Sequence, residues 1–160
     1  LHSFKGVLDY EIHAQGSSII QASSIWVFVD IKKGRPTRVP EDYMELCGIV
    51  EEQATTLEVE YIRFDPITKP NFSLDIATRV ADYDINGHVN NAALLQFIET
   101  ALIRFHPVKI TVDQIQLTFL KEVPLSIDTV NVQLQKTANG CLFEIKNDAV
   151  VFVRGVVSIA

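Results

Sequence analysis

The chain has 160 residues, of which 48% are hydrophobic and 21% charged, with a formal net charge of -6. That length suits one domain or two very small ones, and the composition is that of a soluble globular protein with a sizeable core. The negative charge argues against a general nucleic-acid binder, and no apolar run approaches the ~20 residues that span a bilayer.

Residues 1–20 lack the basic start and apolar block of a signal peptide. Cys47 and Cys141 are far apart and lack metal-ligand spacing, so they read as buried free thiols suited to a reducing cytoplasm, ahead of a disulfide or a nucleophile. Residues 4–12 alternate moderately. Ala14-Gln15-Gly16-Ser17 is a turn signal, and residues 18–31 form a long β-rich run, so the three together predict a hairpin. Lys32-Lys33-Gly34-Arg35-Pro36-Thr37-Arg38-Val39-Pro40 is basic and full of breakers. Pro40 opens a short helix expected to stop near Gly48. Residues 49–72 read as a linker with one strand at 57–62.

From residue 73 the pattern is regular. Leu74, Ile76 and Val80 predict a strand. A helix is expected from Asn90 to Phe105, because Leu94, Phe97, Ile98, Ala101, Leu102 and Phe105 recur at three- and four-residue intervals. Asn90 or Asn91 can cap it, and Pro107 lies just past its end. Four strands are expected at 113–122, 127–136, 141–146 and 149–159, arranged as a meander. One long helix facing an antiparallel sheet is an α+β layer solution. A weak internal repeat is also visible: Tyr10-Glu11-Ile12 and Phe143-Glu144-Ile145 each precede a turn and a β-rich run. The first ~35 residues therefore resemble the closing hairpin of another copy of the unit, whose opening strand and helix are absent. Two unrelated hairpins could look alike in the same way.

Chemistry concentrates in Asp84-Ile85-Asn86-Gly87-His88-Val89-Asn90-Asn91, between a strand and the helix. In an extended segment Asp84, Asn86 and His88 would point the same way. A carboxylate, an amide and an imidazole on one side can orient a water or a carbonyl, and a helix N-terminus offers free N–H groups to a developing oxyanion. Asp, Asn and Gly are equally ordinary turn and cap residues, so both readings stand at this point. Glu122, expected at the end of a strand, could act as general base if the chain folds it back toward the helix start. No Gly-x-Ser-x-Gly elbow, phosphate loop or dinucleotide fingerprint is present. A metal site is disfavoured, since Asn is a poor ligand and no second His or Cys is near in sequence.

Asp84-x-Asn86-x-His88-Val89-Asn90-Asn91 before a helix resembles the active-site motif of the hotdog-fold acyl-ACP thioesterases, which release fatty acids from acyl carrier protein and so end fatty acid synthesis. Phe119-Leu120-Lys121-Glu122 is similar to the segment that carries that family's catalytic glutamate, and it stands 34 residues after His88, as the family pattern implies. Ser23-Ser24-Ile25-Trp26-Val27, Gly34-Arg35-Pro36 and Arg38-Val39-Pro40 resemble the family's segment between its two hotdog domains.

The resemblance implies an α+β hotdog fold from a tandem-hotdog family. Residues 1–35 would be the closing hairpin of an incomplete first domain, 36–72 a linker, and 73–160 a complete second domain. It also implies a thioester hydrolase without cofactor or metal. In that scheme Asp84, Asn86, His88 and Glu122 are catalytic, and the backbone N–H groups of Val89, Asn90 and Asn91 hold the oxyanion. Glu122 would activate water, Asn86 hold water or carbonyl, His88 polarise the carbonyl or share the proton work, and Asp84 orient His88 or a neighbouring backbone group. The plant enzymes have a cysteine after the glutamate. Here it is Val123, which favours water over a thiol nucleophile.

The expected partner is acyl carrier protein, met by Lys32, Lys33, Arg35 and Arg38, with pairing of hotdog units or homodimerisation and a bacterial cytoplasmic setting. Rival expectations are an acyl-CoA thioesterase, a non-catalytic acyl-binding module and a hotdog dehydratase.

Overall fold

The computed structural model describes residues 5–48, 53–55, 62–148 and 150–160. The chain divides into two compact units, Leu1–Tyr61 and Ile62–Ala160.

In the first unit, β1 (Lys5–Ala14) and β2 (Ser17–Val27) form an antiparallel hairpin, with a register shift between Ile12 and His13. Its two-residue turn places Gln15 and Gly16 at φ 51° and 80°, the left-handed pair that matches strand twist. Val7, Ile12, Ile19, Ile20 and Trp26 are all more than half exposed on this hairpin. The two-residue strands β3 (Val29–Asp30) and β4 (Arg35–Pro36) pair beside the basic turn. Helix α1 (Glu41–Cys47) begins after Pro40 and ends at Gly48, as the breakers predict. It is tied back by an edge-to-face contact between Phe28 and Tyr43, 5.0 Å between ring centres. Of the strand expected at 57–62, residues 57–61 lie outside the described residues, and Ile62 is not in a strand.

The second unit is a five-stranded antiparallel sheet with one long helix packed on it. Its elements are β5 (Phe72–Ala77), α2 (Asn91–Phe105), β6 (Val112–Phe119), β7 (Thr129–Thr137), β8 (Gly140–Asn147) and β9 (Val150–Ile159). The strand order is β5-β7-β8-β9-β6. This is the hotdog fold. The stripe on α2 is what buries it: Ala93, Leu94, Phe97, Ile98, Ala101 and Leu102 face Val130, Val132, Leu134, Phe143, Ile145, Val153 and Val157. Phe105 closes the stripe half-buried, against the Phe72 ring.

Three sequence expectations need correcting. The strands after the helix are not a simple meander. β7, β8 and β9 follow one another, but β6 lies beyond β9, because residues 120–128 form a connection long enough to carry the chain across the sheet instead of a tight hairpin. Val80 is not in a strand. Asp82 accepts the Arg79 N–H and closes a 3-10 turn over Val80–Asp82, leaving Val80 94% exposed. β6 ends at Phe119, so Glu122 sits in the following loop.

Residues 62–71 cross the sheet face opposite α2 as a strap. Thr118 of β6 donates to the Ile62 carbonyl (3.1 Å) and Arg154 of β9 to the Phe64 carbonyl (3.3 Å). Glu144 of β8 accepts the Ile67 N–H (3.0 Å), and Asn71 donates to the Leu134 carbonyl of β7 (2.8 Å). Glu144, only 3% exposed, also accepts from Arg154 Nε at 2.6 Å, so its buried carboxylate is paired and hydrogen-bonded.

Candidate active site

Residues 82–90 form a small hairpin that feeds into α2. Its rungs are Asn90 N–H to the Asp82 carbonyl (2.7 Å), the Tyr83–Val89 bridge, and Asp84 N–H to the His88 carbonyl (2.9 Å). Gly87 makes the tip possible, since its φ of 77° lies where side chains are strained. The segment is therefore a turn and not extended, and it is the turn that gathers the polar residues. The Asp84 carboxylate accepts the Asn86 N–H (2.8 Å) and the His88 N–H (3.4 Å), with the Asn86 amide at 3.4 Å. Desolvation pushes the Asp84 carboxyl upward, but these donors together outweigh it and hold the group below the ordinary aspartate value. Asp84 thus orders backbone and amide, and the nearby His88 charge also favours its ionised form.

The loop after β6 returns to this hairpin. Val89 donates to the Val123 carbonyl (2.9 Å), His88 bridges to Pro124, and the Leu125 side chain lies over Gly87. Val123 is fully buried in the core, so the position of the plant cysteine here serves packing. The result is that His88 Nε2 and Glu122 Oε2 stand 3.0 Å apart. Their side chains are 34% and 73% exposed, open enough to meet a substrate. A carboxylate held by an imidazole on one oxygen keeps the other to accept a proton from water.

Two of the three expected oxyanion donors are already engaged. Val89 N–H bonds Val123 and Asn90 N–H bonds Asp82. Asn91 N–H, at the first turn of α2, is the one of the three without an acceptor among the described residues. Asn90 caps the helix, its side chain accepting from Ala92 N–H at 2.8 Å. The strain-free cap and the helix dipole leave positive character at Asn91.

The basic cluster belongs to the first unit. Lys32 and Lys33 lie in the β3–β4 turn, Arg35 in β4 and Arg38 ahead of α1, and all four are exposed. Asp30 fastens this turn, accepting from the Lys32 and Lys33 backbones and pairing with the Lys33 ammonium at 3.6 Å. Among the described residues no three His, Cys, Asp or Glu side chains converge as a metal shell, and no helix is long and apolar enough to cross a membrane. A depression of about 490 Å³ lies elsewhere in the second unit, between the end of β5 and α2, lined by Ile76, Arg79, Phe97 and Thr100 among others.

Sequence reasoning passed over Arg79, Asp82 and Tyr83. Their only signal was an Arg-x-x-Asp spacing ahead of the motif, which is indistinguishable from a surface pair until burial is known.

Residues 67–157 match the family model for the acyl-ACP thioesterase C-terminal domain. No curated protein is significantly similar in sequence. Among solved structures, the chain superposes on a 12:0-ACP thioesterase from Umbellularia californica with a TM-score of 0.82 at 12% identity, covering 98% of this chain and 62% of that one. An acyl-ACP thioesterase from Bacteroides thetaiotaomicron gives 0.76 at 18% identity, covering 100% and 65%. A thioesterase complexed with coenzyme A and Zn from Thermus thermophilus gives 0.52 at 22% identity, covering 59% and 80%. The chain thus spans less than two thirds of the first two proteins, and at these identities the likeness is one of fold.

Proposed function

Since this chain belongs to the acyl-ACP thioesterase family through that family's C-terminal domain, we propose that it hydrolyses fatty acyl thioesters of acyl carrier protein and releases the free fatty acid. The observation that carries this reading is the 3.0 Å approach of His88 Nε2 to Glu122 Oε2 beside the N-terminus of α2. Glu122 takes a proton from water as the water oxygen attacks the thioester carbonyl carbon. The carbonyl oxygen gains negative charge, met by Asn91 N–H and by Asn86 or the His88 ring. When the tetrahedral intermediate collapses, the carbon–sulfur bond breaks. The carrier thiolate leaves and recovers the proton, giving one thiol and one carboxylic acid. Asp84 holds the turn that presents Asn86 and His88.

We read Lys32, Lys33, Arg35 and Arg38 as the contact for acyl carrier protein, an acidic partner that a chain of net charge -6 would otherwise repel. The exposed apolar faces of the β1–β2 hairpin support its assignment to a first hotdog domain, with residues 36–72 as linker and 73–160 as the second domain. Strand β6 is a sheet edge that exposes Val112, Ile115 and Phe119. It suits side-by-side pairing with another hotdog unit. Cys141 is buried as expected, whereas Cys47, at the end of the short helix α1, is exposed; both are free thiols, which fits a cytoplasmic setting.

A general base contributes ~10²–10⁴ in rate. Glu122→Gln is therefore expected to lower turnover of an acyl-ACP by about that factor, with unchanged circular dichroism. Near-normal hydrolysis by this variant would remove Glu122 from the mechanism. The same acyl chain presented on coenzyme A is the second arm. Faster turnover of that substrate would reassign the enzyme to acyl-CoA.

A further inference from the structure

The candidate site rests on a clamp that is not part of it. Asp82 is 2% exposed, yet it carries a carboxylate. Arg79 holds that group with its whole polar length: Nη2 reaches Oδ1 at 2.7 Å, Nε lies 3.2 Å from both oxygens, and the Arg79 backbone N–H donates to Oδ2 at 2.7 Å. Charge-assisted bonds of this forked kind fix geometry as well as energy. The Asp82 backbone carbonyl, in turn, accepts the N–H of Asn90, the cap of α2. One residue therefore joins the 3-10 turn, the base of the 82–90 hairpin and the start of the helix.

A second tie sits one residue on. The Tyr83 hydroxyl lies 2.9 Å from Thr78 Oγ1 and 3.0 Å from the Ile127 carbonyl. Ile127 closes the loop that carries Glu122, through its N–H to the Pro124 carbonyl at 3.0 Å. The hairpin that holds His88 and the loop that holds Glu122 are thus bolted together from beneath, away from the reacting groups.

We propose that Arg79 and Asp82 are positioning residues, clamping the 82–90 hairpin so that His88 stands against Glu122; this rests on the hydrolytic reading above. The guanidinium keeps Asp82 ionised, which preserves the clamp through the neutral range. Neither side chain touches the His88–Glu122 pair, so their removal should leave substrate binding alone and misplace the pair. A misplacement of about 1 Å costs as much as 10²-fold in rate.

The test compares R79Q and R79K with the intact chain. With acyl-ACP as substrate, R79Q is expected to lower kcat by about ten- to a hundredfold while KM changes less than about twofold. R79K keeps the charge and loses the fork, so it should fall between R79Q and the native chain. Amide hydrogen exchange supplies a readout that needs no activity. In R79Q the N–H groups of Asp84, Val89 and Asn90 should exchange faster, while those of β7 and β8 keep their protection. Native kcat in R79Q, or native protection of those three amides, would overturn the proposal. So would a rise in KM with kcat unchanged. Should R79Q fail to fold, R79K carries the same readouts. If the native chain hydrolyses neither acyl-ACP nor acyl-CoA while R79Q still loosens the hairpin amides, the hydrolytic reading fails and the clamp stands.

Discussion

Asp82 shows how much a single carboxylate can depend on one neighbour. The Arg79 guanidinium beside it lowers its pKa, against the opposing effect of burial. A group with a depressed folded pKa stabilises the fold above its unfolded pKa, about 3.9, and that contribution drains away as pH falls through the folded value. The native chain should therefore exceed Asp82→Asn in stability by about 1 kcal/mol near pH 6, a modest figure because the guanidinium is well exposed. Below that unfolded value the difference should shrink as pH falls, which urea titrations above and below it would measure. An equal gap at both would show that the charge is not what matters. At this scale the sequence disclosed the Asp84-to-Asn91 motif and Glu122, because their residue types carry chemistry. It did not disclose Asp82, whose burial is set by contacts from residues far along the chain.

Helix α2 was legible because its apolar spacing alone determines which face is buried, and because Asn90 and Pro107 mark its limits. Strands β7, β8 and β9 were legible as the runs expected at 127–136, 141–146 and 149–159. The place of β6 was not. Alternation says that a stretch is a strand, and nothing in it says which neighbour the strand will choose. That choice is visible instead at Gly155 of β9, where β8 and β6 close in from either side. A methyl group there would lie 2.5 Å from Phe143 Cζ and 2.9 Å from Leu117 Cα, and would also meet the Gln116 carbonyl. Backbone on one side and a buried ring on the other cannot both yield, so Gly155→Ala should destabilise the fold by about 1–3 kcal/mol or more. A chemical-denaturation midpoint equal to the native one would mean that β6 and β9 sit farther apart than described.

At the scale of the whole molecule, charge is distributed against its total. The chain is net negative, while the β3–β4 turn gathers Lys32, Lys33 and Arg35 in a short stretch. If this turn meets the acidic carrier, reversing Lys32 and Lys33 to Glu should slow acyl-ACP hydrolysis in kcat/KM at low salt. The deficit should narrow as ionic strength rises and the Debye length falls below ~8 Å. A native value that is flat across ionic strength would discard the contact.

The strap at 62–71 bears on how such units can be multiplied. One broad side of the second unit's sheet is taken by α2 and the other is crossed by this strap. Among the described residues the two rims, β5 and β6, carry no such cover. Larger architectures made from this module can therefore widen laterally, as a ribbon gains width, by strands added at those rims.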